Sequence, residues 1–183
     1  MPRSPTPWAV DVRRGVPPAG VELRRARQDE GRQVAEVWLR SRAASVPAIP
    51  PPVHSEDEVR TRFTEVVVPT REVWVADQGG TIVALLVLED DWVDQLYVDP
   101  EWTGKTVGSQ LLDLAKRQRP GGLRLWAFQS NTGARRFYER HGFVATATTD
   151  GDNEEGAPDV RYEWPGPAKE GPDGAPPGAK PAE

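Results

Sequence analysis

Three apolar segments between residues 72 and 98 follow one another with almost no chain between them. They read EVWVAD (72–77), TIVALLVLE (81–89) and WVDQLYV (92–98), and the turns that join them contain only three and two residues. Parallel strands need a long crossover connection, whereas turns this short join antiparallel neighbours. The sequence therefore predicts an antiparallel three-stranded meander in the middle of the chain.

Helical and strand patterns surround this meander on both sides. A strand over 21–27 precedes a helix over 30–44, and a second helix opens at Ser55, which fits a capping box with Glu58. After the meander come a helix over 107–119, a strand over 123–128, a helix over 132–141 and strands over 143–149 and 159–164. This order predicts an α/β fold with a mixed, mostly antiparallel central sheet, flanked by helices and containing one βαβ crossover.

Pro and Gly are concentrated at the two ends of the chain. Ten of the nineteen residues in 165–183 are Pro or Gly and none is large and apolar, so this segment cannot bury enough surface to offset its ordering entropy. Residues 1–20 contain five Pro. We therefore expect a flexible N-terminal extension (1–20), one folded domain (21–164) and a disordered tail (165–183), since 183 residues suffice for a single core.

The composition excludes several classes of function. Cysteine is absent and only two histidines are present, so a disulfide, a thiolate or His-rich metal site and an acyl-cysteine intermediate are all excluded. A net charge of −5 argues against a nucleic-acid partner and suits a cationic substrate. The N-terminus lacks the apolar segment of a secretory signal, and no stretch reaches membrane-spanning length, so we expect a cytoplasmic protein without a membrane partner.

The segment TGKTVG (103–108) has the letters of two different phosphate-binding loops. The nucleotide-triphosphate loop needs a glycine five residues before Gly104, where the chain has Asp99. That carboxylate would repel phosphates, Pro100 lacks an N–H, and the strand over 123–128 has no acid to hold magnesium. The remaining interpretation is a helix N-terminus after a strand, whose free N–H groups hold an anion.

The blocks LYVDPEWTGKTVGSQLLDLAK and LWAFQSNTGARRFYERHGF resemble the GCN5-related N-acetyltransferase (GNAT) family. The resemblance covers nearly the whole predicted domain and implies a GNAT-like fold, acetyl-CoA as co-substrate and no metal. The family's loop pattern, Gln/Arg-x-x-Gly-x-Gly/Ala, falls on residues 103–108 with two departures: Thr103 replaces Gln or Arg, and Thr106 replaces the first glycine. The Thr106 hydroxyl either binds a phosphate oxygen or its side chain weakens cofactor binding.

The resemblance also implies which residues bind the cofactor. The backbone of the strand at Leu96, Tyr97 and Val98 would pair with the pantetheine arm, and an N–H there would polarise the thioester carbonyl. Asn131 matches an asparagine that binds the same arm, although a plain helix cap is the alternative. The phosphates would be bound by the loop and helix start, with a weaker contribution from an arginine of the helix over 132–141: Thr103, Gly104, Lys105, Thr106, Val107, Gly108, Ser109 and Arg135.

Two kinds of catalytic group are expected, a general acid and a general base. Tyr138 matches the tyrosine that protonates the coenzyme A thiolate, the alternative being a buried aromatic whose hydroxyl is bonded. For the general base, period-two alternation puts Asp94 on the face of Leu96 and Val98, opposite Val93, near the expected acceptor. Glu89 is the alternative base, and a water chain is a third.

The expected reaction is direct transfer of the acetyl group to a primary amine, with a cationic small molecule as the first expectation for the acceptor. A protein amine, a longer acyl group and a degenerate acyl-CoA-binding module remain alternatives. Members of the family are often dimers, so a homodimer is one expected arrangement. Among the seven tryptophans, we expect Trp38, Trp74 and Trp126 in the core, and Trp92 and Trp102 beside the cleft.

Overall fold

The computed structural model describes residues 18–167. Most of the predicted N-terminal extension (1–20) and C-terminal tail (165–183) lies outside this range, so both remain predictions. The elements are β1 (Val21–Arg25), α1 (Gly31–Ala44), α2 (Glu56–Arg62), α3 (Val68–Thr70), β2 (Glu72–Gln78), β3 (Thr81–Glu89), β4 (Trp92–Val98), α4 (Val107–Gln118), β5 (Leu123–Phe128), α5 (Thr132–Arg140), β6 (Val144–Thr149) and β7 (Asp159–Trp164).

A seven-stranded sheet in the order β1-β2-β3-β4-β5-β7-β6 forms the centre of the domain. β2, β3 and β4 pair antiparallel through their short turns, which confirms the predicted meander. α4 crosses from β4 to β5, the one parallel pair recorded in residues 18–167. The predicted fold class, a mixed and mostly antiparallel sheet flanked by helices, is therefore confirmed.

Helices cover the two faces of the sheet unequally. On one face, α1 and α2 pack only against the first half of the sheet, through side chains that include Val34, Val37, Val59, Phe63, Val75, Leu85 and Val87. On the other face, α4 and α5 pack against both halves, through side chains that include Leu86, Leu88, Leu111, Leu114, Leu125 and Tyr162. One face of the β5–β7–β6 half therefore belongs to no core cluster.

α2 begins as predicted, with Ser55 as its N-cap. The Ser55 hydroxyl accepts a hydrogen bond from the Glu58 N–H at 3.3 Å, and Glu58 accepts one from the Ser55 N–H at 2.8 Å. These reciprocal bonds form the capping box and satisfy two N–H groups of the helix start. The helix continues through a π-helical turn at Phe63–Val67 into α3.

A β-bulge in β4 opens the middle of the sheet. Gln95 pairs with Val87 and Val93 with Leu88, so Asp94 is the extra residue on β4. The prediction that Val93 faces away from Leu96 and Val98 is wrong, because the bulge turns Val93 into the same core cluster.

Beyond the bulge, the two halves of the sheet separate. Among the described residues, β4 pairs with β5 only at Trp92 and Arg124, and the rest of the two strands diverges around a cleft. In the same part of the chain, none of the helices has the length and apolar character needed to span a bilayer.

Candidate active site

The cleft between β4 and β5 is a cavity of about 1380 Å³. A site for one drug-sized ligand usually measures roughly 300–1,000 Å³, so this cavity has room for two substrates. Two regions of its wall differ in their chemistry. The cradle is the segment 103–109 at the start of α4, and the acidic side is the set of lining carboxylates Glu89, Asp94, Asp152, Glu154, Glu155 and Asp159.

The cradle approaches the cavity with bare backbone. The φ angle of Gly104 is 79°, a left-handed conformation that favours glycine, and an added Cβ would meet only open space. At Gly108 the constraint is different, because a Cβ there would lie 3.3 Å from Cγ2 of Val98. Glycine therefore lets α4 begin close against β4. The first N–H groups of α4 have no carbonyl one turn back in the helix, which suits an anion such as a pyrophosphate.

Thr106 occupies a conformation that favours glycine. Its φ is 66°, and a β-branched residue there is strained by about 1–2 kcal/mol. The Thr106 hydroxyl donates to the Lys105 carbonyl at 2.6 Å. In this conformation the proton of the hydroxyl is therefore used within the loop. Both alternatives raised by the sequence, a phosphate contact and weaker cofactor binding, remain predictions, and the geometry shows that the side chain has a conformational cost.

The cradle residues do not all reach the cavity. Thr103, Gly104, Thr106, Gly108 and Ser109 line it. Val107 is fully buried in the core instead, and the Lys105 ammonium lies 4.6 Å from the ring centroid of Trp102. The predicted lining position of Trp102 agrees with the structure. Trp92 also lines the cavity, as expected.

The open edge of β4 presents backbone donors to the cavity. The Asp99 N–H donates to the Val83 carbonyl of β3 at 2.9 Å. Since N–H groups alternate sides along a strand, those of Leu96 and Val98 point away from β3 and into the cleft. Tyr97 lies between them, and its ring packs 5.8 Å from that of Trp38. The structure thus brings the predicted pantetheine-binding residues to the cavity wall.

Tyr138 lies on α5 and faces the cavity with only 9% of its surface exposed. Its ring is held by Phe137 and Phe143, at centroid distances of 5.3 and 5.8 Å. Burial raises the pKa of the Tyr138 hydroxyl well above its ordinary value, and Tyr97 adds to the shift. No hydrogen bond contributes to this shift. A neutral phenol therefore faces the cavity.

Asn131 serves first as a helix cap. Its Oδ1 accepts a hydrogen bond from the Ala134 N–H at 3.0 Å, and the residue also lines the cavity. The cap leaves the side-chain amide NH₂ as the group that can donate to a ligand. Arg135 does not line the cavity. Its Nη1 donates to the Gln129 carbonyl at 3.2 Å and its Nε to the Tyr162 hydroxyl at 3.3 Å.

The two predicted bases share one partner. The Arg71 Nη1 lies 2.8 Å from Asp94 Oδ2 and 2.9 Å from Glu89 Oε2, and both carboxylates line the cavity. A proton that reached either carboxylate would weaken its ion pair with Arg71. The bulge leaves Asp94 in the cavity wall but paired with Arg71, and its predicted place beside the acceptor remains a prediction.

Arg42 is a lining residue that the sequence reasoning missed. Its side chain is only 4% exposed, and its Nη2 donates to Glu155 Oε1 at 2.8 Å. The guanidinium also lies 5.1 Å from the Trp38 ring and 5.7 Å from the Phe128 ring. The position of Arg42 one helical turn after Trp38 was the available signal, since arginine commonly stacks on aromatic faces.

Trp126 corrects one expectation about the core. It is 42% exposed and lines the cavity, although we expected it to be buried. Its neighbours in β5, Leu125 and Ala127, face the core instead. The alternation along this strand puts Trp126 on the face of β5 that belongs to neither core cluster.

Comparisons with known proteins agree with this geometry. Residues 69–145 match the family described as an acetyltransferase (GNAT) domain. The peptidyl-lysine N-acetyltransferase YjaB of Salmonella typhimurium is 29% identical over 136 residues, which are 73% of this chain and 90% of that protein.

Solved structures share the fold. The apo form of YjaB from Escherichia coli superimposes with a TM-score of 0.66 and 25% identity, covering 80% of this chain and 98% of that one. The structure of yncA from Salmonella typhimurium with acetyl-CoA gives a TM-score of 0.60 at 17% identity, over 85% of this chain and 99% of that one.

The fold and the matches to acetyltransferases support an acyl-CoA-dependent N-acyltransferase. Residues 69–145 are similar to the GNAT acetyltransferase domain, and the chain is similar to the N-acetyltransferase YjaB. It is accordingly an acetyltransferase that uses acetyl-CoA and acts on an amine acceptor.

Proposed function

We propose that this protein transfers the acetyl group of acetyl-CoA directly to the side-chain amine of a lysine in another polypeptide. The observation that carries the proposal is the position of Tyr138, whose neutral hydroxyl lies in one cavity with the cradle and the acidic side. A donor with a pyrophosphate and a cationic acceptor suit these two regions. Direct transfer also fits the absence of cysteine from the whole sequence.

Backbone N–H groups would bind the cofactor. The cradle N–H groups and the charge at the start of α4 would bind the pyrophosphate of coenzyme A. The Leu96 and Val98 N–H groups would bind the pantetheine arm and the thioester oxygen, where negative charge develops during attack. The Asn131 NH₂ group would add a donor to the same arm. Because these donors are fixed by the fold, they need little reorganisation during the reaction.

Tyr138 would act as the general acid. The neutral amine nitrogen bonds to the thioester carbon, the carbon–sulfur bond breaks, and the sulfur takes the phenolic proton of Tyr138. The amide nitrogen loses its extra proton, and the phenolate regains one from solvent. The raised pKa of the Tyr138 hydroxyl keeps the phenol protonated before the reaction, so a proton is available when negative charge develops on the leaving sulfur.

The proton of the acceptor would leave through water. Asp94 and Glu89 are both paired with Arg71, so proton transfer to either would compete with an ion pair. Their charge, and that of the other lining acids, would instead attract a cationic acceptor into the cavity. This interpretation assigns the two residues an electrostatic role rather than that of a general base.

Lysine in a polypeptide is proposed as the acceptor because YjaB, which this chain resembles over 73% of its length, is named a peptidyl-lysine N-acetyltransferase. A small cationic amine is the second candidate, and the six carboxylates of the acidic side favour it as well. Both acceptors would use the same donors and the same acid.

The test is thiol release from acetyl-CoA with purified protein and a panel of amines. The panel contains a blocked peptide with one central lysine, the same peptide with arginine in its place, Nα-acetyl-lysine amide and spermidine. We expect turnover with the lysine peptide that is absent with the arginine peptide. Turnover with spermidine alone would support the small-molecule candidate, and no turnover with any amine would contradict the proposed function.

A further inference from the structure

The half-sheet of β5, β7 and β6 has one covered and one open face. Leu125 and Tyr162 belong to the covered face, which packs against α4 and α5. Within residues 18–167 the opposite side chains belong to neither core cluster, although Arg42 of α1 lies 5.7 Å from the Phe128 ring, which also lines the cavity. This open face is formed by Arg124, Trp126 and Phe128 of β5, Arg161 and Glu163 of β7, and Val144 and Thr146 of β6.

Two large apolar side chains are exposed on this open face. Val144 is 62% exposed and Trp126 is 42% exposed, and they are two of five such side chains in the described residues. Trp126 pairs across the sheet with Arg161, and Val144 with Glu163. With strands about 4.8 Å apart and a rise of about 3.3 Å per residue, three six-residue strands offer roughly 10 by 20 Å. That area suits a short extended segment of another chain.

The charges on the open face are already paired. Arg161 lies 3.1 Å from Glu163, and Arg124 is paired with Asp91. Such exposed pairs add little stability, but they leave the face without a net charge of its own. The unbalanced charge lies at the cavity, on the acidic side. A segment docked here would therefore be selected by apolar contact on the sheet and by positive charge at the cavity.

The open face continues into the cavity. Trp126 and Phe128 belong to both, whereas Val144 lies on the open face and outside the cavity lining. A chain that crosses the open face can therefore place one side chain beside Trp126 and into the cavity. Lysine suits this path because its four methylene groups can pack on the indole while the amine passes on toward the acidic side.

We propose that the open face is the docking surface for an extended polypeptide segment that carries the acceptor lysine. This inference rests on the proposed function. Trp126 contacts the acceptor side chain itself, whereas Val144 contacts only residues that flank it in the sequence of the partner. A free amine uses the cavity alone, so its binding does not depend on Val144.

The test compares Val144→Lys with Val66→Lys. Val66 is also exposed, at 45%, but lies in the π-helical turn far along the chain from the open face. Each variant is assayed with a blocked, arginine-containing peptide that has one central lysine, and with Nα-acetyl-lysine amide. For Val144→Lys we expect the KM of the peptide to rise about tenfold, with its kcat and the KM of the amide unchanged. Val66→Lys should leave both KM values unchanged.

Other outcomes would overturn the proposal. If Val144→Lys keeps the KM of the peptide, the segment does not dock on the open face. If that variant also converts an oligomer to monomers in light scattering, the open face is instead covered by a second copy of this chain. If the wild-type protein acetylates neither lysine acceptor, the proposed function fails and this inference fails with it. A thermal melt of each variant separates these results from loss of folding.

Discussion

The cradle and the acidic side lie in the same cavity but are built in different ways. The cradle is one continuous segment in which backbone groups and glycines contact the ligand. The acidic side joins residues of β3, β4, the β6–β7 loop and β7, and its Glu155 pairs with Arg42 of α1 across 113 residues of sequence. A continuous backbone site leaves a pattern in the sequence, whereas a site assembled from distant side chains leaves almost none.

The largest effect on kcat should come from Tyr138, which lines the same cavity as both regions. Tyr138→Phe removes the proposed acid and keeps the ring, so we expect kcat to fall about 100-fold with an unchanged melting temperature. In the wild-type protein the raised pKa of Tyr138 keeps the hydroxyl protonated above the usual tyrosine value of about 10. The alkaline fall of kcat should therefore begin above that pH. An unchanged kcat in Tyr138→Phe would contradict the acid role.

A substitution of Arg42, the partner of Glu155 on the acidic side, should change acceptor binding and stability together. Arg42→Met leaves Glu155 without its partner, and we expect a loss of about 2 kcal/mol in the free energy of unfolding, below the full cost of a buried pair because Glu155 is 19% exposed. The KM for the acceptor should rise while that for acetyl-CoA stays constant. Arg25→Met is the control, since Arg25 is 53% exposed in a pair at 3.7 Å. Urea unfolding and initial rates measure both quantities.

A substitution in the cradle should have a smaller effect on the free energy of unfolding, and of opposite sign. Thr106→Gly relieves the left-handed strain at φ 66°, so we expect the free energy of unfolding to rise by about 1 kcal/mol. The KM for acetyl-CoA should fall, with no change for the acceptor. Thr103→Gly is the matched control, because Thr103 has an ordinary φ of −63°. A loss of stability in Thr106→Gly would show that the threonine is not strained.

The smallest effect is expected at the predicted base. Asp94→Asn keeps the shape of the side chain and removes a charge that Arg71 already balances in part. We expect kcat to fall by less than about threefold, since a positioned general base usually contributes roughly 10²–10⁴-fold. A fall of that larger size would restore Asp94 as the base.

The sequence was sufficient for most of the fold because strand and helix patterns are local. The predicted bounds of β3, β4, β5 and β7 agree with the structure, and the short turns correctly indicated the meander. The β-bulge at Asp94 was not predicted, because one extra residue breaks the alternation without leaving a mark in composition. That bulge also explains why Val93 was assigned to the wrong face.

In the candidate site, too, residues in a local sequence motif were predicted, whereas residues placed by distant contacts were not. Gly104 and Gly108 were predicted from a continuous motif, and the left-handed φ of Thr106 explains why a glycine was expected there. Trp126 was assigned to the core because its strand looked apolar, but nothing in the sequence shows that helices leave one face of β5 open. Arg42 was missed because its partners come from the loop at Pro50, from β5 and from Glu155.

The central claim is that donor and acceptor occupy the two regions of one cavity at the same time. Initial rates measured while acetyl-CoA and the lysine peptide are both varied test it most directly. Direct transfer in a ternary complex predicts double-reciprocal lines that intersect. Parallel lines would indicate an acetylated form of the protein and would contradict the claim.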